Sequence, residues 1–183
     1  MASEQKRRML HGELYRADDP ALVADRRRCR QVLERFNATV EPDEGHAILH
    51  DLLGHIGAGT VIMPRLECDY GYQIHVGERC FINYGAIILD SAAVTIGSDV
   101  QLGPAVQLLT ATHPLDPATR HTGLESAAPI SIGFGAWLGG GVIVCPGVSI
   151  GDECVIGAGS VVTRDLPPRV LAVGNPARVV RDL

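Results

Sequence analysis

Aromatic residues make up only 4% of this 183-residue chain, with one tryptophan, three phenylalanines and four tyrosines. A core built on large rings is excluded, because too few are available to fill one. The five cysteines are odd in number and form no Cys-x-x-Cys pair, which argues against a disulfide framework or a zinc ribbon. No apolar run reaches bilayer-spanning length, and the opening Met1-Ala2-Ser3-Glu4-Gln5-Lys6-Arg7-Arg8 lacks the apolar centre of a secretion signal. A soluble cytoplasmic protein, with no membrane partner, is expected. Net charge is −5, and the one basic cluster, Arg26-Arg27-Arg28-Cys29-Arg30, sits in a helix-patterned segment rather than along a stripe. That argues against nucleic acid as a partner.

What the chain does contain is aliphatic residues at a fixed interval. From Ile132 to Val162 one recurs every sixth position: Ile132, Leu138, Val144, Ile150, Ile156, Val162. Gly follows at 133, 139, 151 and 157, and a small or modest residue stands four places on, at Ala136, Val142, Val148, Cys154 and Ser160. A period of six fits neither a helix nor a free alternating strand; it specifies a β-solenoid in which three hexads close one triangular turn. Residues eighteen apart then stack: Ile132 on Ile150, Leu138 on Ile156, Val144 on Val162. The aliphatic and small residues point inward, and the glycines are expected to relieve the corner dihedrals. Cys80 and Cys154 fall in small inward slots, as buried thiols.

The remainder divides around this block. Residues 1–58 form an amino-terminal helical segment, 59–166 the solenoid with an inserted loop at 109–130, and 167–183 a carboxy-terminal cap over its open end. Asp19-Pro20 starts a helix from Ala21 to Phe36, with Leu22, Cys29, Leu33 and Phe36 on one stripe. Arg26 lies on that stripe, where it either snorkels outward or faces a polar site. A second helix is expected from about Asp43 to Ile56, burying Ile48, Leu49, Leu52, Leu53 and Ile56, with Gly57-Ala58-Gly59 breaking it. His46 and His50 are one turn apart, but Ala47 stands where a zinc-binding helix would carry its glutamate, so no metal is expected. The first solenoid block runs Val76, Ile82, Ile88, slips by two residues, and continues Ile96, Leu102, Leu108. The repeat then stops from Leu109 to Pro129, an excursion containing Thr110-Ala111-Thr112-His113-Pro114 that is a candidate functional loop.

Gly12-Glu13-Leu14-Tyr15, Arg35-Phe36-Asn37, Cys68-Asp69-Tyr70-Gly71-Tyr72, Phe81-Ile82-Asn83, Thr112-His113-Pro114 and Gly174-Asn175-Pro176-Ala177-Arg178 together give the chain a wider likeness. It resembles the hexapeptide-repeat sugar O-acetyltransferases: the maltose, galactoside and nodulation acetyltransferases. The resemblance implies a mainly β fold, a left-handed parallel β-helix assembled as a homotrimer. It also implies transfer of acetyl from acetyl-CoA to a sugar hydroxyl at sites between subunits.

By the same resemblance His113 is the general base, with Trp137 and Glu125 beside it. Arg26, Asp69, Asn83 and Asp90 match acceptor positions; Gly140, Ala158, Thr163, Arg164, Arg178 and Arg181 match donor positions. An imidazole titrating near neutrality suits the base role, because a hydroxyl must lose its proton to attack a thioester. Read on their own, Trp137 is equally a surface corner residue and Glu125 a solvated charge. Ala17, beside Asp18 and Asp19, replaces an acidic acceptor contact of some relatives, and Ser91-Ala92-Ala93 replaces the usual Val-Cys-Pro, which bears on sugar preference. Three other readings differ in kind: a non-sugar acceptor on the same scaffold, a zinc γ-type carbonic anhydrase drawing on His75, His113 and His121, and a non-catalytic solenoid.

Overall fold

The computed structural model describes residues 2–183. Its amino-terminal third is helical. α1 (Glu4–Leu10) is capped by Ser3, whose hydroxyl accepts the Lys6 amide at 3.1 Å. A two-residue strand β1 (Tyr15–Arg16) follows, and then α2 (Pro20–Ala38), whose Asp19 cap accepts the Ala21 amide at 3.0 Å. The buried side of α2 is Leu22, Cys29, Leu33 and Phe36, the stripe expected from spacing. No helix of the described residues is long and apolar enough to cross a membrane.

α3 (Pro42–Leu52) is shorter than expected. Leu53 turns to extended backbone at ψ 150, and His55–Ile56 is already a strand, so the helix ends before Ile56 rather than at Gly57. Burial alone could not separate the two conformations, since Leu53 and Ile56 are buried in either. α1 was not anticipated: Met9 is its one buried residue, which leaves almost no periodicity to detect.

The solenoid winds by coils of three strands. The first is β2 (His55–Ile56), β3 (Val61–Ile62) and β4 (Leu66–Cys68); the second is β5 (Ile74–Val76), β6 (Phe81–Ile82) and β7 (Ala86–Leu89). The third is β8 (Val94–Ile96), β9 (Gln101–Leu102) and β10 (Gln107–Leu109). The chain then leaves for β11 (Ala111–Thr112), α4 (Pro117–His121) and β12 (Leu124–Ala127). It returns as β13 (Ile130–Ile132), β14 (Trp137–Leu138) and β15 (Ile143–Val144), then β16 (Ser149–Ile150), β17 (Val155–Ile156) and β18 (Val161–Val162). A hairpin, β19 (Val170–Gly174) and β20 (Ala177–Asp182), pairs with β17 and closes the end.

Strands stack in parallel into three faces: β2-β5-β8-β13-β16, then β3-β6-β9-β14-β17, which carries the hairpin, then β4-β7-β10-β15-β18. The stacked pairs Ile132 with Ile150, Leu138 with Ile156 and Val144 with Val162 are those expected from the period. Inside, Ala136, Val142, Cys154 and Ser160 are sealed from solvent beside the aliphatic columns.

Two details differ from expectation. The glycines after the aliphatic slot are needed for space rather than for dihedrals. A Cβ built on Gly133 would meet the Asp152 amide of the next coil at 2.5 Å, and one on Gly139 the Ala158 amide at 2.7 Å. The left-handed backbone lies two residues later, at Gly135 and Gly141, and is occupied even by Asp99 and Glu153.

The phase slip is likewise not a single event. Ile56 pairs with Val76 and Val76 with Ile96, twenty residues apart each time, against eighteen from Ile132 to Ile150. The added residues fall between the third face and the first, at 69–73 and 90–93, on the same edge from which the 109–130 loop departs. We refer to this as the insertion edge.

Candidate active site

The insertion edge gathers most of the chain's buried polar groups. Asp90, fully buried, accepts the amides of Asp69 at 3.1 Å, Tyr70 at 2.8 Å and Gln73 at 3.3 Å through its carboxylate. Burial pushes its pKa up to about 6, against the pull of the Tyr70 and Gln73 amides. Asp90 therefore holds the Cys68–Gln73 turn from beneath, with no surface of its own to offer a ligand.

Above it lies Asp69, its pKa raised by burial against the opposing effect of Arg26. Arg26 does not snorkel. Its Nη1 donates to the Tyr70 hydroxyl at 2.7 Å and its Nη2 to the Ala17 carbonyl at 2.5 Å. So position 17 contributes its backbone where its side chain has nothing to give. Lys6 and Asp25 pair at 2.7 Å beside Tyr72.

The loop folds back onto β1 of the amino-terminal segment. Thr110 is buried at its base, its hydroxyl donating to the Leu89 carbonyl at 2.6 Å and accepting the Ala92 amide at 3.0 Å. β11 pairs antiparallel with β12, Thr112 opposite Ser126, and β12 pairs antiparallel with β1, Glu125 opposite Tyr15. His113 follows directly on β11, one residue beyond the Thr112–Ser126 pair, and Glu125 is the next residue of the facing strand. Within the sheet Tyr15 and Glu125 are directly paired across β1 and β12, and paired neighbours project to the same side. The Tyr15 hydroxyl donates to Glu125 Oε2 at 3.3 Å. Tyr15 was absent from the residues singled out by sequence; its signal was only the Leu14-Tyr15 pair before a helix.

Other candidates lie elsewhere on the prism. Trp137 stands on the second face, 54% exposed, in an outward column with Val61, Phe81 and Gln101. Asn83, Gly140 and Ala158 follow strands of the second face, on the edge it shares with the third. Arg178 joins that edge through the hairpin, where it pairs with Val173, while Arg181 pairs with Leu171 on the second face. Thr163 and Arg164 follow β18 on the insertion edge. One chain thus unites His113, Glu125, Asp69, Arg26 and Asp90, and separates them from Trp137, Asn83, Gly140 and Ala158.

The cysteines are all free thiols; Cys80 and Cys154 fill inward slots, and Cys29 and Cys68 lie with sulfurs 3.5 Å apart between α2 and β4. Among the described residues no three His, Cys, Asp or Glu side chains converge as a metal site. His75 is on the first face and His121 ends α4, so a zinc reading lacks a ligand set within one chain.

Known proteins match this arrangement over its full length. Residues 8–57 fit the model for the maltose acetyltransferase hexapeptide capping motif, and 129–164 that for the bacterial transferase hexapeptide. Nodulation protein L of Rhizobium meliloti (strain 1021) is 48% identical over 181 residues, covering 98% of this chain and 99% of its own. The crystal structure of a maltose O-acetyltransferase from Clostridium difficile 630 superposes with a TM-score of 0.97 at 46% identity, covering 100% of this chain and 99% of that one. A hexapeptide-repeat acetyltransferase from Vibrio cholerae O1 biovar eltor, solved with acetyl coenzyme A, superposes at 0.93 with 35% identity, covering 99% of each chain. With two sequence models, near-complete coverage and a common fold in agreement, the chain belongs to the hexapeptide-repeat acetyltransferases of the maltose acetyltransferase type.

Proposed function

We propose that this protein moves acetyl from acetyl-CoA to a hydroxyl of a maltose-, glucose- or galactoside-like sugar, with His113 as general base. The observation that carries the reading is the position of His113. It follows β11 directly, next to the strand that carries Glu125, on the edge where Arg26, Asp69 and Tyr70 offer charged and hydroxyl partners to a polyhydroxylated ligand.

In the reaction the acceptor hydroxyl gives its proton to the His113 imidazole as its oxygen attacks the thioester carbonyl. The C–S bond then breaks, and the imidazolium returns the proton to the departing sulfur as CoA-SH. Acetyl passes directly, with no acyl-enzyme.

The separation of candidates within one chain supports sites between copies of a homotrimer. The edge carrying Asn83, Gly140, Ala158 and Arg178 would face the neighbouring copy's insertion edge with His113, Thr163 and Arg164. The outward column of the second face, Val61, Phe81, Gln101 and Trp137, exposes three large apolar side chains suited to that contact. Small residues at Gly140 and Ala158 let a pantetheine arm lie against backbone, and Arg164, Arg178 and Arg181 meet CoA phosphates.

The test is CoA release from acetyl-CoA with maltose, glucose and a methyl galactoside, for the parent and His113→Ala, alongside mass determination in solution. The expected outcome is a trimer whose turnover falls roughly 100-fold or more on removing the base, with assembly unchanged. Near-parental turnover in His113→Ala would remove the base assignment. Activity only on hydroxyl compounds outside the sugars would favour the non-sugar acceptor on the same scaffold.

A further inference from the structure

Tyr15 is 1% exposed, an unusual place for a phenol on a two-residue strand near the amino terminus. Its ring is locked in a satellite cluster with Met9 of α1, Leu22 of α2 and Tyr70, apart from the solenoid core. Its oxygen has polar company on two sides. Glu125 accepts from it at 3.3 Å, and Ser91, buried in the turn between β7 and β8, is its other polar neighbour.

The cluster that holds Tyr15 also fixes the acceptor pocket. Tyr70 packs against it and takes a hydrogen bond from Arg26 at 2.7 Å. One rigid unit thus joins the helices, the pocket arginine and the loop strand carrying Glu125. We propose that Tyr15 is a positioning residue: its phenol holds the Glu125 carboxylate on β12, next to the segment that carries His113, and through Glu125 orients the base.

The chemistry follows from which oxygen is used. With Oε2 accepting from Tyr15, rotation of the carboxylate is restricted and its other oxygen remains available to the imidazole. A carboxylate so held keeps one ring nitrogen protonated and stabilises the imidazolium that forms as the acceptor loses its proton. Without the phenol, Glu125 can rotate and a partly buried carboxylate loses a donor.

This role rests on the base assignment, and the variants separate the two. Tyr15→Phe keeps the ring in its cluster and removes only the oxygen. Measured in the assembled protein with acetyl-CoA and maltose, or whichever panel sugar turns over, it should lower kcat roughly tenfold and leave the acetyl-CoA KM unchanged. A double-variant cycle with Glu125→Gln identifies the route. If Tyr15 acts through Glu125, the double variant is no slower than Glu125→Gln alone, whereas a merely structural role makes the two losses multiply. Turnover of Tyr15→Phe within twofold of the parent, or multiplying losses, overturns the positioning role while an inactive His113→Ala leaves the base in place. An active His113→Ala removes both.

Discussion

The carboxylate of Asp90, sealed from solvent, accepts the backbone amide of Tyr70 at 2.8 Å and thereby ties the turn between β4 and β5 to the second coil of the solenoid. The bond reaches back twenty positions along the chain, the length of one early turn. Asp90 therefore acts on the pocket by setting the turn that presents Asp69 and Tyr70.

Its titration should be visible in stability. Burial raises the folded pKa from 3.8 to about 6, so between those values the folded state holds the proton and the unfolded state does not. Stability from this group is thus greatest below the lower value, is lost as pH rises toward the upper one, and is flat above it. Relative to Asp90→Asn, which cannot titrate, the parent should lose roughly 2–3 kcal/mol between about pH 3.5 and pH 7.5 in denaturant unfolding. Parallel curves for the two proteins would show that Asp90 is not raised.

The two kinds of solenoid glycine should respond differently to a methyl group. Gly133→Ala drives a Cβ to 2.5 Å from the Asp152 amide, and backbone cannot yield as a side chain can. A loss of roughly 2–4 kcal/mol, or failure to assemble, is expected. Gly141→Ala meets nothing within 4 Å and carries only the penalty of its positive φ of 69°. About 1 kcal/mol is expected there. Thermal unfolding ranks the pair, and the opposite order would return the glycines to a dihedral role.

The arginines should divide the substrates between them. Arg178 lies on the hairpin and Arg26 against Tyr70, on the proposed acceptor side. Arg178→Glu should raise the KM for acetyl-CoA roughly tenfold or more with little change in the sugar KM, and Arg26→Ala should do the reverse. Initial rates with each substrate varied in turn check both. An unchanged acetyl-CoA KM in Arg178→Glu would make that arginine a surface charge.

Much of this was legible before any coordinates. The six-residue recurrence specified the solenoid and its stacked pairs, because an interior lined by one aliphatic residue per strand leaves a period no other architecture shares. The α2 stripe was equally plain, while Arg26 on that stripe left two readings open, and its bonds to Tyr70 and the Ala17 carbonyl decided against snorkelling. Less legible were features that depend on neighbours distant in the chain. The end of α3 at Leu52 depends on Leu53-Gly54 entering the first coil. The role of Gly133 depends on where the next coil lies. Tyr15 became a site residue only through β12, more than a hundred positions away.

The sequence by itself determined the winding of the backbone, since burial of regularly spaced aliphatic side chains is a local pattern repeated along the chain. Tertiary structure decided which irregularities matter. Two short extensions and one long loop, scattered from 69 to 130, emerge on a single edge because every turn of a solenoid returns to the same corner. Only that return brings Tyr15, Glu125, Asp69 and Arg26 to one edge, and leaves Trp137 and Asn83 on other sides of the prism.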